Sequence, residues 1–390
     1  MDSIFLDNNS TTMLDDGVIR SMEECQKGRF ANPASQHEFG RSARRALERA
    51  RDSLATHLNL RVDDQCLFTS GGTEANNLGL FGFFPPESRN AGFNLVSTSI
   101  EHPSLLAAYD WLSLQGVEIR LIDPDNLGRV DAESLLELAD SQTRWVGCMA
   151  GNNETGVLQP IERIAAGCER LNLPFHVDAV QAVGKILFDF SLPGISSAAI
   201  SAHKIHGPVG IGALLVKKDI PVSPMLFGGF QQGGIRPGTE NLVLATGFAT
   251  AIENAIGQLE DHQLHLSTLR DDLEHRLLNA IPEVVVNGST QFRLPHTTNL
   301  SFLGIDRQQF ILAADTQKIA VSTGSACSSG SSQASHVLTA MNCPKENIDS
   351  AIRFGLSIQN KTEEIQQASA RIAQICANLR SGKLKGGNSH

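Results

Sequence analysis

From about residue 60 to 220, short apolar runs alternate with amphipathic stretches, and few folds accommodate that pattern. The runs are Cys66-Leu67-Phe68-Thr69, Asn94-Leu95-Val96-Ser97-Thr98, Trp145-Val146-Gly147-Cys148-Met149, Phe175-His176-Val177, Ala198-Ala199-Ile200-Ser201 and Ile211-Gly212-Ala213-Leu214-Leu215-Val216. They read as continuous rather than alternating, which is the pattern of strands buried on both faces. Between them, Pro103 to Gln115 and Pro160 to Arg170 have helical spacing. Strands and helices in turn predict an α/β fold, a parallel-rich sheet covered by helices on both sides. In such sheets functional groups gather at the carboxyl ends of the strands.

A chain of 390 residues is too long for one simple core and is expected to form two domains. The predicted boundaries are 14–255 for a large domain and 1–13 with 256–380 for a smaller α+β domain, followed by a flexible tail, 381–390. Arg41 to Asn59 reads as a surface helix, and the nearly proline-free stretch Glu240 to Leu278 as a helical connection. Residues are 41% hydrophobic and 19% charged, which leaves ample apolar material for a core. A net charge of −10 argues against nucleic acid, whose binding rests on clustered Lys and Arg. The N-terminus lacks a basic region followed by an apolar core. No apolar run approaches the roughly 20 residues that span a bilayer. The expectation is a soluble, cytoplasmic protein with no membrane partner.

Seven cysteines stand at 25, 66, 148, 168, 327, 343 and 376, with no C-x-x-C pair and no zinc-like spacing. No metal is expected. Six read as small buried apolar residues in a reducing compartment. Cys327 differs, because Val321 to Ser332 is a run of Ser and Gly without a core pattern. The loop at about 322–333 is expected to be exposed and mobile, so that its thiol could visit a site and leave it. An idle surface thiol is the other reading.

The segment Ser201-Ala202-His203-Lys204-Ile205-His206-Gly207-Pro208 places a lysine after an apolar strand and before a Gly-Pro turn. Burial lowers an ammonium pKa and yields the neutral amine that Schiff-base chemistry requires. Phe175-His176-Val177-Asp178 is a second strand, ending in a carboxylate. A lysine for an aldehyde and an aspartate for a ring nitrogen are the two anchors of a pyridoxal phosphate site. Asp178 could also simply cap a helix.

Around these anchors lie further candidates. Thr69 to Asn77, with Gly72 and Thr73, follows a strand and opens a helix, an arrangement that suits a phosphate or merely an ordinary capped helix. His102, at a strand-to-helix junction, could stack on a flat ring and move protons, or serve as a cap. The amides of Asn152-Asn153 and Gln181 could meet a phenolic oxygen. Arg353, inside an apolar run, suits either a substrate carboxylate or a structural ion pair.

These segments resemble the cysteine desulfurases, pyridoxal phosphate enzymes of the class V aminotransferase group. The resemblance runs in the family's order through Leu6-Asp7-Asn8-Asn9-Ser10-Thr11-Thr12, Asn32 to Ser35, Thr69 to Asn77, Glu101-His102, Asn152 to Gly156, His176 to Gln181, Ser201 to Pro208, Arg236 to Asn241, Gly324 to Cys327 and Ile352-Arg353-Phe354. It implies fold type I of this cofactor class, with a mainly parallel seven-stranded sheet. It also implies that Lys204 binds the aldehyde, Asp178 pairs with the pyridine nitrogen and His102 stacks on the ring. Thr73, Ser201 and His203, beside Gly72, would hold the phosphate, and Asn153 and Gln181 the phenolic oxygen. Asn153 and Arg353 would take the carboxylate of L-cysteine, and Thr239 would reach the partner's cofactor in a homodimer. The implied activity converts L-cysteine to L-alanine and leaves sulfur on Cys327 as a persulfide. That sulfur would pass to a protein acceptor such as an iron–sulfur scaffold. A selenocysteine lyase, or another C–S lyase or aminotransferase with the same cofactor, is the alternative. Three departures stand out: His206 replaces an aromatic or aliphatic residue, Pro237 a common Ser, and the tail after Leu379 is short where the family docks scaffolds.

Overall fold

The computed structural model describes residues 2–28, 30–84, 92–324 and 334–382. Seven strands form its main sheet in the order Gln65–Thr69, Gly212–Val216, Ser197–Ser201, Phe175–Asp178, Thr143–Met149, Asn94–Thr98 and Glu118–Ile122. Only Gly212–Val216 runs antiparallel to its neighbours, so the sheet is mainly parallel as expected. Its direction follows from loop length. The link from Ser201 back to Gly212 falls short of the dozen or so residues a parallel crossover needs, so the chain must double back. Trp145, Phe175, Val177 and Leu215 are fully buried, as strands covered on both faces require.

Helices cover the sheet. Pro103–Leu114 starts with proline in its first turn, where a missing N–H is harmless. Ile161–Leu171 stops at Asn172 in the left-handed conformation. Glu38–His57 buries Ala43, Leu47, Ala50 and Leu54 and packs against Leu242–Gly257. The connection expected over Glu240 to Leu278 is two helices, Leu242–Gly257 and Leu259–Ala280, meeting at 75°. No single described helix is long and apolar enough to cross a membrane. Of the cysteines expected inside, five are buried and Cys343 is half-buried.

A second apolar cluster joins Ile4 and Leu6 to Leu266, Leu273, Leu300, Phe310, Ile352 and Ile372. Its antiparallel sheet runs Ala351–Gly355, Thr297–Phe302, Val284–Val286, while Ile4–Phe5 pairs parallel with Ile319–Ala320. Val337, Leu338 and Met341 instead pack into the main core. The N-terminal segment then leaves the second cluster for the main sheet. At Gly355 it passes so close that a side-chain carbon would lie 2.2 Å from Asn9 Oδ1, which only glycine avoids. Beyond it, Thr12 N donates to His203 O at 2.9 Å and Asp15 N to His206 O at 3.1 Å. The first residues of the chain are thus laid against the lysine turn.

Candidate active site

Lys204 ends a single 3-10 turn, Ala202–Lys204, that follows the strand Ser197–Ser201. Its Nζ donates to the carbonyl oxygens of Asn9 at 2.6 Å and Ser10 at 2.7 Å. Burial, helped by nearby Arg353, brings its pKa down to about 8 against the opposing pull of Asp178 and Asp7. A neutral amine is therefore accessible near neutral pH.

Asp178 ends the neighbouring parallel strand and is 5% exposed. Its Oδ2 accepts from Asn76 Nδ2 at 2.7 Å and its Oδ1 from Val180 N at 3.0 Å. Asn76 also donates to Ser104 Oγ at 2.9 Å, and its oxygen faces His176 Nε2 at 3.1 Å. His176 stacks on Trp145 at 5.6 Å, and burial pushes its pKa down to about 3, so it stays neutral.

His102 caps the helix Pro103–Leu114, its Nδ1 accepting from Ser104 N at 3.1 Å. In the neutral ring the proton therefore sits on Nε2. Burial lowers its pKa; Asp178 opposes, while Lys204, His336 and Arg353 add to the shift, so all four lie within electrostatic reach. Beside it, Glu101 is fully buried, and burial raises its carboxyl to about 8. Thr98 Oγ1 and Met149 N donate to its Oε1 at 2.7 and 2.9 Å.

On the other flank, the helix Gly72–Phe81 begins at Gly71 without a side-chain cap, leaving its first N–H groups open to an anion. A side-chain carbon on Gly72 would sit 2.8 Å from Val180 and 3.6 Å from Ser201, so the helix start packs against both. Ser201 Oγ is buried without a partner among the described residues, whereas Thr73 is exposed. His203 Nδ1 lies 3.3 Å from Thr11 Oγ1, and burial with Lys204 lowers its pKa to about 4.

Arg353, 4% exposed, pairs with Asp7 Oδ1 at 2.8 Å and donates to Asn153 O at 2.9 Å. Its Nε is buried without a partner among the described residues. The structural ion pair exists, and one donor remains. Gln181 Nε2 donates to Asn9 O at 3.0 Å, so one carbonyl serves both Gln181 and Lys204. Thr239 is exposed, in a segment tied to the helix Gly72–Phe81 by Arg236 and Glu74 at 2.7 Å.

Cys327 lies outside the described residues, but both flanks of its segment meet one carboxylate. Gly324 packs on Glu154 so closely that a side-chain carbon would be 3.2 Å away. Ser335 Oγ donates to Glu154 Oε2 at 2.6 Å, and His336 Nδ1 lies 3.8 Å from Oε1. His336 Nε2 reaches the carbonyl oxygen of Glu101 at 3.0 Å.

The Aminotransferase class-V family matches residues 4–368. The chain belongs to that family. It is 36% identical over 381 residues to "Cysteine desulfurase NifS" of Azotobacter vinelandii, covering 98% of this chain and 94% of that one. It is 38% identical to a "Cysteine desulfurase" of Bradyrhizobium diazoefficiens, with 97% and 95% covered. Among solved structures, a "NIFS-LIKE PROTEIN" superposes with a TM-score of 0.90 at 32% identity, covering 97% of this chain and all of that one.

Sequence reasoning passed over several residues that the structure brings to this pocket. Asn76 stands four after Gly72, one turn along the helix, so its spacing was a usable signal. Asp7, Asn9 and Glu154 lie inside segments that the family resemblance spans, yet their roles depend on contacts far along the chain. His336 had no local signal.

Proposed function

We infer that the protein is a pyridoxal phosphate-dependent cysteine desulfurase, converting L-cysteine to L-alanine with the sulfur passing to Cys327 as a persulfide. One observation carries the reading beyond the relatives: Lys204 and Asp178 face one site from the ends of adjacent parallel strands. The residues fit the cofactor. Ser201 Oγ, a buried hydroxyl without a partner, and the uncapped helix start at Gly72 offer donors for a phosphate, with Thr73 and His203 adjacent in sequence to these. Asp178, held by Asn76, is a carboxylate for the pyridine nitrogen. When bound, the cofactor supplies an electrophilic aldehyde and a ring that takes up an electron pair from the substrate Cα.

Lys204 would provide the amine for that aldehyde, and its Nζ would take the Cα proton of the substrate. His102 would stack on the ring and offer Nε2–H. Arg353 and Asn153 would hold the substrate carboxylate, and Asn153 and Gln181 the phenolic oxygen. The Cys327 thiolate would attack the substrate sulfur, forming the S–S bond of the persulfide as the Cβ–S bond breaks with its electron pair left on the carbon fragment, which takes up protons and leaves as L-alanine. Phe227 and Phe230, 89% and 94% exposed, lie close in sequence to Thr239. They support a homodimer in which Thr239 serves the partner's cofactor, since large exposed aromatics mark interfaces. The division at 14–255, with 1–13 and 256–380, is proposed on the two apolar clusters, with Val337, Leu338 and Met341 crossing over to the main one. Delivery to a protein acceptor such as an iron–sulfur scaffold, in the cytoplasm, completes the reading.

The test is alanine and sulfide formation from L-cysteine with reductant, for wild type and Cys327→Ala together. Loss of alanine formation in the variant, with visible cofactor absorbance intact, supports the reading. Persistence at the parental rate overturns it in favour of a lyase that breaks the C–S bond without Cys327.

A further inference from the structure

Behind the lysine turn is a narrow, partly open cavity of about 20 Å³ whose lining includes Lys185, Ile205, His206, Asn254 and His262. Lys185 is 4% exposed, and its ammonium has no hydrogen-bond or ion-pair partner among the described residues. Such a group is rare, because an isolated buried charge is strongly disfavoured. Burial brings its pKa down only to about 8, so it remains mostly charged at neutral pH.

The surroundings add basic groups rather than a counter-charge. The Lys185 charge acts on His206, His262 and His296, lowering the pKa of each. His206 Nδ1 donates to Met13 O at 2.8 Å, and its φ of 63° holds the ring in this unusual position. His296 is buried with neither ring nitrogen partnered. Asp15 is the one carboxylate on the lining. Its Oδ1 caps the helix Asp16–Lys27, accepting from Gly17 N at 2.8 Å and Val18 N at 3.3 Å, and meets Asn254 Nδ2 at 3.3 Å. It forms no ion pair with Lys185.

We propose that this cavity is a binding site for a single small monovalent anion of halide size, with Lys185 as its charged donor. The volume admits one ion or one water. A water alone would leave the ammonium uncompensated. The bound ion would join the His206 turn to the helices Leu242–Gly257 and Leu259–Ala280, fastening the back of the lysine turn. This site is separate from the catalytic one and does not depend on which reaction the enzyme performs.

The experiment uses the holoenzyme and Lys185→Met, a change that removes the charge and keeps the length. Crystals grown in bromide are read by anomalous scattering. In parallel, Tm is followed as chloride replaces gluconate, an anion too large for the cavity, at constant ionic strength. A bromine peak beside Lys185 Nζ, with a chloride-dependent rise in Tm that Lys185→Met loses, is the expected result. Absence of the peak in wild type overturns the proposal, and so does a chloride effect that the variant keeps in full. Should the variant fail to fold, the wild-type bromide peak still decides.

Discussion

Asn76 donates to the Asp178 carboxylate at 2.7 Å while its own oxygen faces His176 Nε2 at 3.1 Å. The first contact fixes the second. The Asp178 carboxylate accepts from the amide nitrogen, so the Asn76 oxygen turns to His176, which burial holds neutral and which then carries its proton on Nε2 and meets Ser197 Oγ through Nδ1 at 2.9 Å. Asp178 is therefore aimed by a buried chain that ends on the Trp145 ring.

Replacing Asn76 by Leu breaks that chain while keeping the volume. A hydrogen bond to a charged group contributes about 1.5–3 kcal/mol, so cofactor retention should weaken by roughly 10- to 100-fold. Equilibrium dialysis followed by visible absorbance measures it. An unchanged affinity would mean that Val180 N alone orients Asp178.

Glu154 meets both flanks of the segment that carries Cys327. Glu154→Ala should lower alanine formation by about tenfold or more while the cofactor absorbance stays as in wild type. Stability should fall by about 1–3 kcal/mol as the buried Ser335 hydroxyl loses its acceptor. Glu154→Gln, which preserves that acceptor, should recover most of the stability. Single-turnover alanine release and urea unfolding separate the two effects.

Buried histidines, His176, His203, His206 and His296 among them, make the fold sensitive to acid. Burial lowers His176 to about 3, and His203 and His206 to about 4, from 6.5. Between pH 6.5 and those values the unfolded chain binds protons that the folded chain refuses, so stability rises with pH there and falls on acidification. The loss begins near pH 6.5 and continues to about pH 3–4. His206→Asn, whose side chain tolerates the left-handed backbone, should flatten part of this slope in Tm against pH.

Glu101 acts with the opposite sign. Its carboxyl is raised from 4.5 to about 8, so between those values the folded chain holds a proton that the unfolded chain releases. Its contribution to stability declines as pH rises through that window. Glu101→Gln should reduce the decline between pH 5 and 8. Equal slopes in the two proteins would show that Glu101 is already ionised in the fold.

Much of this was legible before any coordinates. Lys204 and Asp178 could be read because each closes an apolar run, and a strand that ends at a crevice carries its last polar residue with it. The edge strand Glu118–Ile122 was not read, because Glu118 and Arg120 interrupt its apolar character and its side chains are half wet. Nor could the sequence show that Arg353 meets Asp7 across 346 positions, or that Glu154 collects Gly324, Ser335 and His336. Local patterns report burial and direction, whereas those contacts exist only once two distant segments share a wall.

The carbonyls of Asn9 and Ser10 seat the Lys204 amine, and Gly355 is the residue that lets Asn9 pass. These segments leave the ribosome far apart in time. The earlier one stays without its seat beside Gly355 until that residue has been translated. A chain stalled between Lys204 and Gly355 can bury much of its main sheet and still lack a finished lysine pocket, so the reactive amine is completed only after the later segment has been made.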